Sequence, residues 1–91
     1  MIYCVEDNTE IRELVVYTLQ MTGFTARGFV DGKDFFAAIK EELPELVLLD
    51  IMLPGEDGLQ ILKKLRASEA TRAIPVIMLT AKTTEYDKVI G

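Results

Sequence analysis

The chain has 91 residues, enough for one small domain and too few for two. Apolar residues make up 49% and charged ones 27%, the balance of a packed globular chain and not of a disordered tail. A formal net charge of -5 argues against a sequence-independent hold on nucleic acid or anionic lipid, because both rely on clustered Lys and Arg.

Met1 to Val5 is a short apolar run that stops at Glu6-Asp7-Asn8, after which the period changes to Ile11, Leu14, Val15, Thr18 and Leu19. That pattern predicts a strand followed by a helix. Gly23 ends the helix, Phe24 to Val30 supplies a second strand interrupted by Gly28, and Asp31-Gly32 reads as a turn. Asp34 to Glu42 reads as a second helix, with Phe35, Phe36, Ile39 and Leu43 near one face and Pro44 marking its end. Leu46 to Leu49 is a third strand, and the helical period returns after Gly58 with Ile61, Leu62 and Leu65. A fourth strand, Ile74 to Leu79, carries Pro75 at its start, where a missing N–H is tolerated. Residues 84 to 91 read as the first turns of another helix.

Strand and helix alternate with short connections, which predicts a mostly parallel sheet covered on both faces. Leu46 to Leu49 and Val76 to Leu79 are apolar without alternation, as burial on both faces demands. Cys4 stands alone, so no internal disulfide forms, and a buried thiol in a reducing cytoplasm is the natural reading. No charged leader opens the chain and no apolar run approaches the ~20 residues that span a bilayer, so the cytosol is the expected location and a membrane is not an expected partner.

The stretch LVLLDIMLPGEDG, residues 46 to 58, sets Asp50 at the end of a buried run, where a carboxylate is disfavoured unless something pairs with it. In open parallel sheets, ligands bind at the carboxyl ends of strands. Glu6 and Asp7 follow the first strand and Asp50 ends the third, so neighbouring strands would bring three carboxylates into one crevice. Such a cluster is costly without a cation. Oxygen ligands without His or Cys select a hard cation, and few carboxylates with room for water suit Mg2+ better than a closed Ca2+ cage. Thr80 brings a hydroxyl to the same edge, and metal, carboxylate nucleophile and hydroxyl together describe phosphoryl transfer through an aspartyl phosphate.

Each residue also has a plainer explanation. Asp7 with Glu10 resembles a capping box, and Asn8 or Thr9 could equally cap the first helix. Asp57 reads as a cap or turn former, and Thr80 alone could be an ordinary strand-end residue. The constellation is much stronger than any member.

At these residues the sequence resembles the receiver domain of bacterial two-component response regulators. The resemblance rests on the acidic pair Glu6-Asp7, the motif from Asp50 to Gly58, and Thr80-Ala81, and it covers the whole chain. It implies a flavodoxin-like, doubly wound parallel α/β sheet of strand order 2-1-3-4, forming a single receiver domain over residues 1 to 91. It also implies Asp50 as phosphoacceptor and Mg2+ ligand, Asp7 as a direct ligand, Glu6 as a ligand mainly through water, and the Met52 backbone carbonyl as a further ligand. Thr80 would hydrogen-bond the phosphoryl group and move on activation. Pro54 and Gly58 would shape the following loop, and Met52 and Lys82 would modulate dephosphorylation.

Glu6 departs mildly from the family's commoner Asp. Family members continue into a fifth strand ending in a Lys and a fifth helix, whereas eleven residues follow Thr80 here. The sequence thus reads as a receiver cut short, without that Lys or the switch aromatic, and none of Lys33, Lys40, Lys63, Lys64 and Lys88 replaces it. Such a chain is expected to leave strand four as an open edge, with apolar surface of the first helix and the sheet uncovered. It then associates or swaps elements through that edge, or is a piece of a longer protein.

The expected partner is a histidine kinase in trans, because the chain contains no His to carry the phosphoryl group. The expected output, a transcriptional one, lies outside the chain. Ile11, Arg12, Leu14 and Val15 are candidates for kinase specificity, with ordinary core an equal reading for Ile11 and Leu14. A haloacid dehalogenase-type phosphatase wants a second Asp where Met52 stands. A flavodoxin wants a Ser/Thr/Gly-rich loop where Glu6-Asp7-Asn8 would repel phosphate. A non-functional or engineered fragment is the remaining alternative. The main reading is a phosphoacceptor with at most self-catalysed phosphorylation and dephosphorylation.

Overall fold

A computed structural model describes residues 1–51, 53 and 57–79. In chain order these form β1 (Ile2–Val5), α1 (Thr9–Met21), β2 (Ala26–Phe29), α2 (Gly32–Glu41), β3 (Leu46–Asp50), α3 (Gly58–Ala67) and β4 (Val76–Leu79). All pairings are parallel, and the sheet order is β2-β1-β3-β4. The expected order 2-1-3-4 is thus the observed one. The last turns of helix anticipated over 84 to 91 lie outside the described residues.

Local chemistry sets the element boundaries. Asn8 caps α1, its Oδ1 accepting from Ile11 N at 2.9 Å, so of the three cap candidates Asn8 serves and Asp7 does not. The helix closes in a Schellman motif: Phe24 N donates to Leu19 O at 3.0 Å and Gly23 N to Gln20 O at 3.1 Å. Gly23 supplies the left-handed backbone this requires, at φ 98°. Asp31 and Gly32 are not a free-standing turn. Asp31 Oδ1 accepts from Asp34 N at 3.0 Å, and α2 begins at Gly32, two residues ahead of the predicted start. Asp57 and Gln60 form a reciprocal capping box on α3.

The core lies on one face of the sheet. Tyr3 and Val5 of β1, Phe29 of β2, and Val47 and Leu49 of β3 pack with Phe35 and Ala38 of α2 and Ile61 and Leu65 of α3. Tyr3, Phe29 and Phe35 meet edge to face with ring centroids 5.0 to 6.2 Å apart. The Tyr3 hydroxyl, carried into this apolar setting, donates to Glu42 O at 2.7 Å.

The opposite face is covered unevenly, which corrects the expectation of burial on both faces. Register places Cys4 beside Leu48 and Leu48 beside Ile77, so the three share that face. Exposure grows along this row: Cys4 is fully buried, Leu48 half-buried and Ile77 51% exposed. The reason is that α1 packs over β1 and β2. None of its own residues is buried, and Ile11, Leu14, Tyr17 and Met21 are exposed, so Ile11 and Leu14 are not ordinary core in this structure.

Candidate functional site

Parallel register assembles the site. Val5 pairs with Leu49, so the residues that follow, Glu6 and Asp50, reach the carboxyl edge side by side in neighbouring strands. Asp50 in turn pairs with Leu79 of β4, and Ile51 N donates to Leu79 O at 3.2 Å. Each of Glu6, Asp7 and Asp50 offers a carboxylate oxygen, and these oxygens lie within 4.8 Å of one another. Glu6 is 6% exposed and Asp50 3%, whereas Asp7 is open to solvent. Three of the sequence-predicted site residues therefore meet. Met52, Thr80, Pro54 and Lys82 lie outside the described residues.

Backbone hydrogen bonds fix where these carboxylates sit. Glu6 N donates to Phe29 O of β2 at 3.0 Å, and the Glu6 carboxylate accepts from Asn8 N at 2.9 Å. Because Asn8 provides the helix cap, Asp7 is left to face the cluster. Gly58 closes the other side, its N–H donating to Ile51 O at 2.9 Å, and it lies so close that a Cβ there would stand 2.8 Å from Ile51 Cα. Only glycine allows α3 to start against the backbone of Asp50 and Ile51.

The electrostatics follow from crowding. Burial raises the pKa of the Glu6 carboxyl, the Asn8 N–H opposes that shift, and the charges of Asp50 and Asp7 add to it. Burial also pushes the Cys4 thiol up to about 11, with the Glu6 and Asp50 carboxylates adding to the effect, so it stays a neutral thiol. Oxygen donors crowded until one carboxyl resists ionisation suit a small hard cation, whose charge would offset their repulsion.

Two contributors escaped the sequence reading. Arg12, there only a candidate for kinase specificity, donates to Glu6 O at 2.8 Å. Gly28, there a break in a strand, is where the Arg12 side chain crosses β2. A glycine inside a strand often marks such a close approach, and that was the available signal.

Comparison with known proteins agrees with this geometry. The family model for the response regulator receiver domain matches residues 2–90. A "Transcriptional regulatory protein GltR" from Pseudomonas aeruginosa is 43% identical over 90 residues, covering 99% of this chain and 37% of that protein. The "Phosphate regulon transcriptional regulatory protein PhoB" of Escherichia coli is 44% identical over 93 residues, covering 99% and 39%. The chain thus spans less than two fifths of the length of these relatives. Among solved structures, the N-terminal domain of a response regulator receiver protein from Methanoculleus marisnigri superposes with a TM-score of 0.85 at 36% identity, covering 94% of this chain and 75% of that one. Strand order, acidic cluster and family match together show that this chain belongs to the receiver domain family of two-component response regulators, with the CheY-like, flavodoxin-type fold.

Proposed function

We propose that the chain is the phosphoacceptor module of a two-component system, one receiver unit in which Asp50 takes a phosphoryl group from a partner histidine kinase. The observation that carries this reading is the meeting of Glu6, Asp7 and Asp50 at one sheet edge in a receiver-family chain. An Asp50 carboxylate oxygen forms the bond to phosphorus as the phosphorus–nitrogen bond of a phosphohistidine breaks, its electron pair returning to the imidazole. The buried backbone of β3 holds that oxygen at the edge, so little ordering is left to the encounter.

Mg2+ would be held by Asp7, Asp50 and the Met52 carbonyl, with Glu6 acting mainly through water, and when bound it offsets charge on the phosphoryl oxygens. Asp7, exposed where its two neighbours in the cluster are buried, is the side from which ion and donor arrive. Thr80 is assigned the hydrogen bond to the phosphoryl group and the switch. The module works in the cytoplasm, does not itself bind nucleic acid, and acts as a phosphoacceptor without multiple-turnover catalysis. Relatives named as transcriptional regulators support a transcriptional output outside these residues.

Incubation with acetyl phosphate and Mg2+, read by intact mass, tests this. One added phosphoryl group on the wild type and none on Asp50→Asn supports the reading; no addition to a folded wild type, or equal addition to both, refutes it. A second reading, self-association through β4, is favoured by the half-exposed Ile77 and by the apolar residues left open on α1. Light scattering that finds a monodisperse monomer at every concentration would refute it.

A further inference from the structure

We infer that Arg12 is a positioning residue for the acidic site, and that Gly28 exists to let it reach. The inference rests on the metal-binding reading above and extends it to residues that contribute no ligand.

Arg12 sits in the first turn of α1, on the side facing β2. Its Nη1 donates to Glu6 O at 2.8 Å and, at a long 3.4 Å, to Asp7 O, while Nη2 lies 3.4 Å from Thr9 Oγ1. Only the first is short enough to be strong, and it is charge-assisted. Its acceptor is the carbonyl of the peptide joining Glu6 to Asp7. Because a peptide is planar, fixing that carbonyl also fixes the N–H and the Cα of Asp7, the point from which its side chain departs. The opposite end of Glu6 is tied to β2 through Phe29 O, and its carboxylate to Asn8 N. Arg12 is therefore a tether on the loop that carries both ligands.

To get there, the side chain lies flat across β2. A Cβ on residue 28 would stand 2.7 Å from Arg12 Cγ, 3.0 Å from Cδ and 3.2 Å from Val16 Cγ2. Any larger residue would lift the stem and withdraw the guanidinium from the loop. A cleft of about 240 Å³ opens beside this crossing, lined by Arg12, Glu13, Val16, Tyr17, Gln20 and Gly28, so a displaced Arg12 has room to swing away. The tether is thus specified jointly by an arginine on α1 and the missing side chain on β2.

Charge and position make opposite predictions, which allows a decisive test. A guanidinium near a cation site repels the cation, so removing it tightens Mg2+ binding if charge is all that matters. Loss of the tether loosens it. Titrate Mg2+ into the wild type, Arg12→Ala, Arg12→Lys, Gly28→Ala and the double variant, following the amide signals of residues 6, 7 and 50 by 1H–15N NMR, whose dispersion also reports folding.

The tether predicts affinity about fivefold weaker in Arg12→Ala, the scale of one ordinary hydrogen bond, since solvent screens the charge at a half-exposed site. Arg12→Lys, keeping the charge but replacing the planar guanidinium fork with a compact ammonium, falls between. Gly28→Ala weakens binding in the wild type and adds nothing in the Arg12→Ala background, because both break the same contact. The Asp7 and Asn8 amide signals shift in Arg12→Ala before any Mg2+ is added. Equal or tighter binding in folded Arg12→Ala overturns the inference, as does a Gly28→Ala effect that persists without Arg12. An Asp7→Asn control separates the two levels. If the wild type shows no saturable binding, or if Asp7→Asn binds as it does, the metal-site reading itself fails and the tether's role falls with it. Should Gly28→Ala not fold, the Ala and Lys variants of Arg12 decide alone.

Discussion

Gly58→Ala is the sharpest single probe of how packing holds Asp50. A Cβ at residue 58 would stand 2.8 Å from Ile51 Cα and 2.9 Å from Asp50 C, against ~3.5 Å or more for relaxed carbon contacts. Both neighbours are backbone atoms, so no side-chain rotation relieves the overlap; α3 or the end of β3 has to move. Overpacking of this kind costs roughly 1 to 3 kcal/mol. The better helix propensity of Ala returns less than ~1 kcal/mol at a first helical position. A net loss of ~2 kcal/mol with a urea slope of ~1 kcal/mol per molar, reasonable for so small a domain, lowers the midpoint by ~2 M.

The same shift moves Asp50, so phosphorylation by acetyl phosphate falls in samples still folded at low denaturant. Gly23→Ala is the control that separates crowding from backbone conformation. Nothing lies within 4 Å of a Cβ there, and its penalty comes only from φ 98°, about 1 kcal/mol. Urea curves by circular dichroism, with equal slopes for all three proteins, make the comparison. If Gly58→Ala unfolds at the wild-type midpoint, or loses no more stability than Gly23→Ala, then α3 is not seated directly on the backbone of Asp50 and Ile51.

Two further outcomes follow from the site and the caps. Because burial and neighbouring charge raise the Glu6 pKa, the folded chain holds that proton more tightly than the unfolded chain. Without metal, stability therefore declines as pH rises from the ordinary Glu value through the raised one, and Glu6→Gln removes that decline and is the more stable protein at neutral pH. Urea midpoints across pH in the presence of a chelator check this; parallel curves for the two proteins would contradict it. Asn8→Ala removes the α1 cap and is expected to cost about 1 kcal/mol by the same assay. Asp7→Ala, which removes no cap, should cost less, and the reverse order would mean that Asp7 caps the helix after all.

Much of the site is legible in the sequence. An acidic residue closing a buried apolar run is costly, so Asp50 announced itself, and the acidic pair after the first strand needed only adjacency to become a cluster. The sheet order that supplies adjacency is not encoded locally; β1 lies between β2 and β3 because parallel strands need crossovers and the chain winds both ways from the centre. The competition among Asp7, Asn8 and Thr9 was likewise undecidable from spacing. It was settled by geometry, since the Asn8 side chain reaches Ile11 N and Asp7 is thereby left to the cluster.

Periodicity, caps and turn residues determined which segments are strands and which are helices, because those signals act over a few residues. Long-range contacts decided the rest. Apolar strand sequences suggested burial on both faces, yet exposure from Cys4 through Leu48 to Ile77 depends on where α1 lies. Gly28 looked like a flaw in a strand until Arg12 was found across it, bound to the carbonyl of Glu6. Residues 12 and 28 are distant in sequence, and only the packing of a helix on a parallel sheet brings their backbones close enough for one to require the other's missing side chain.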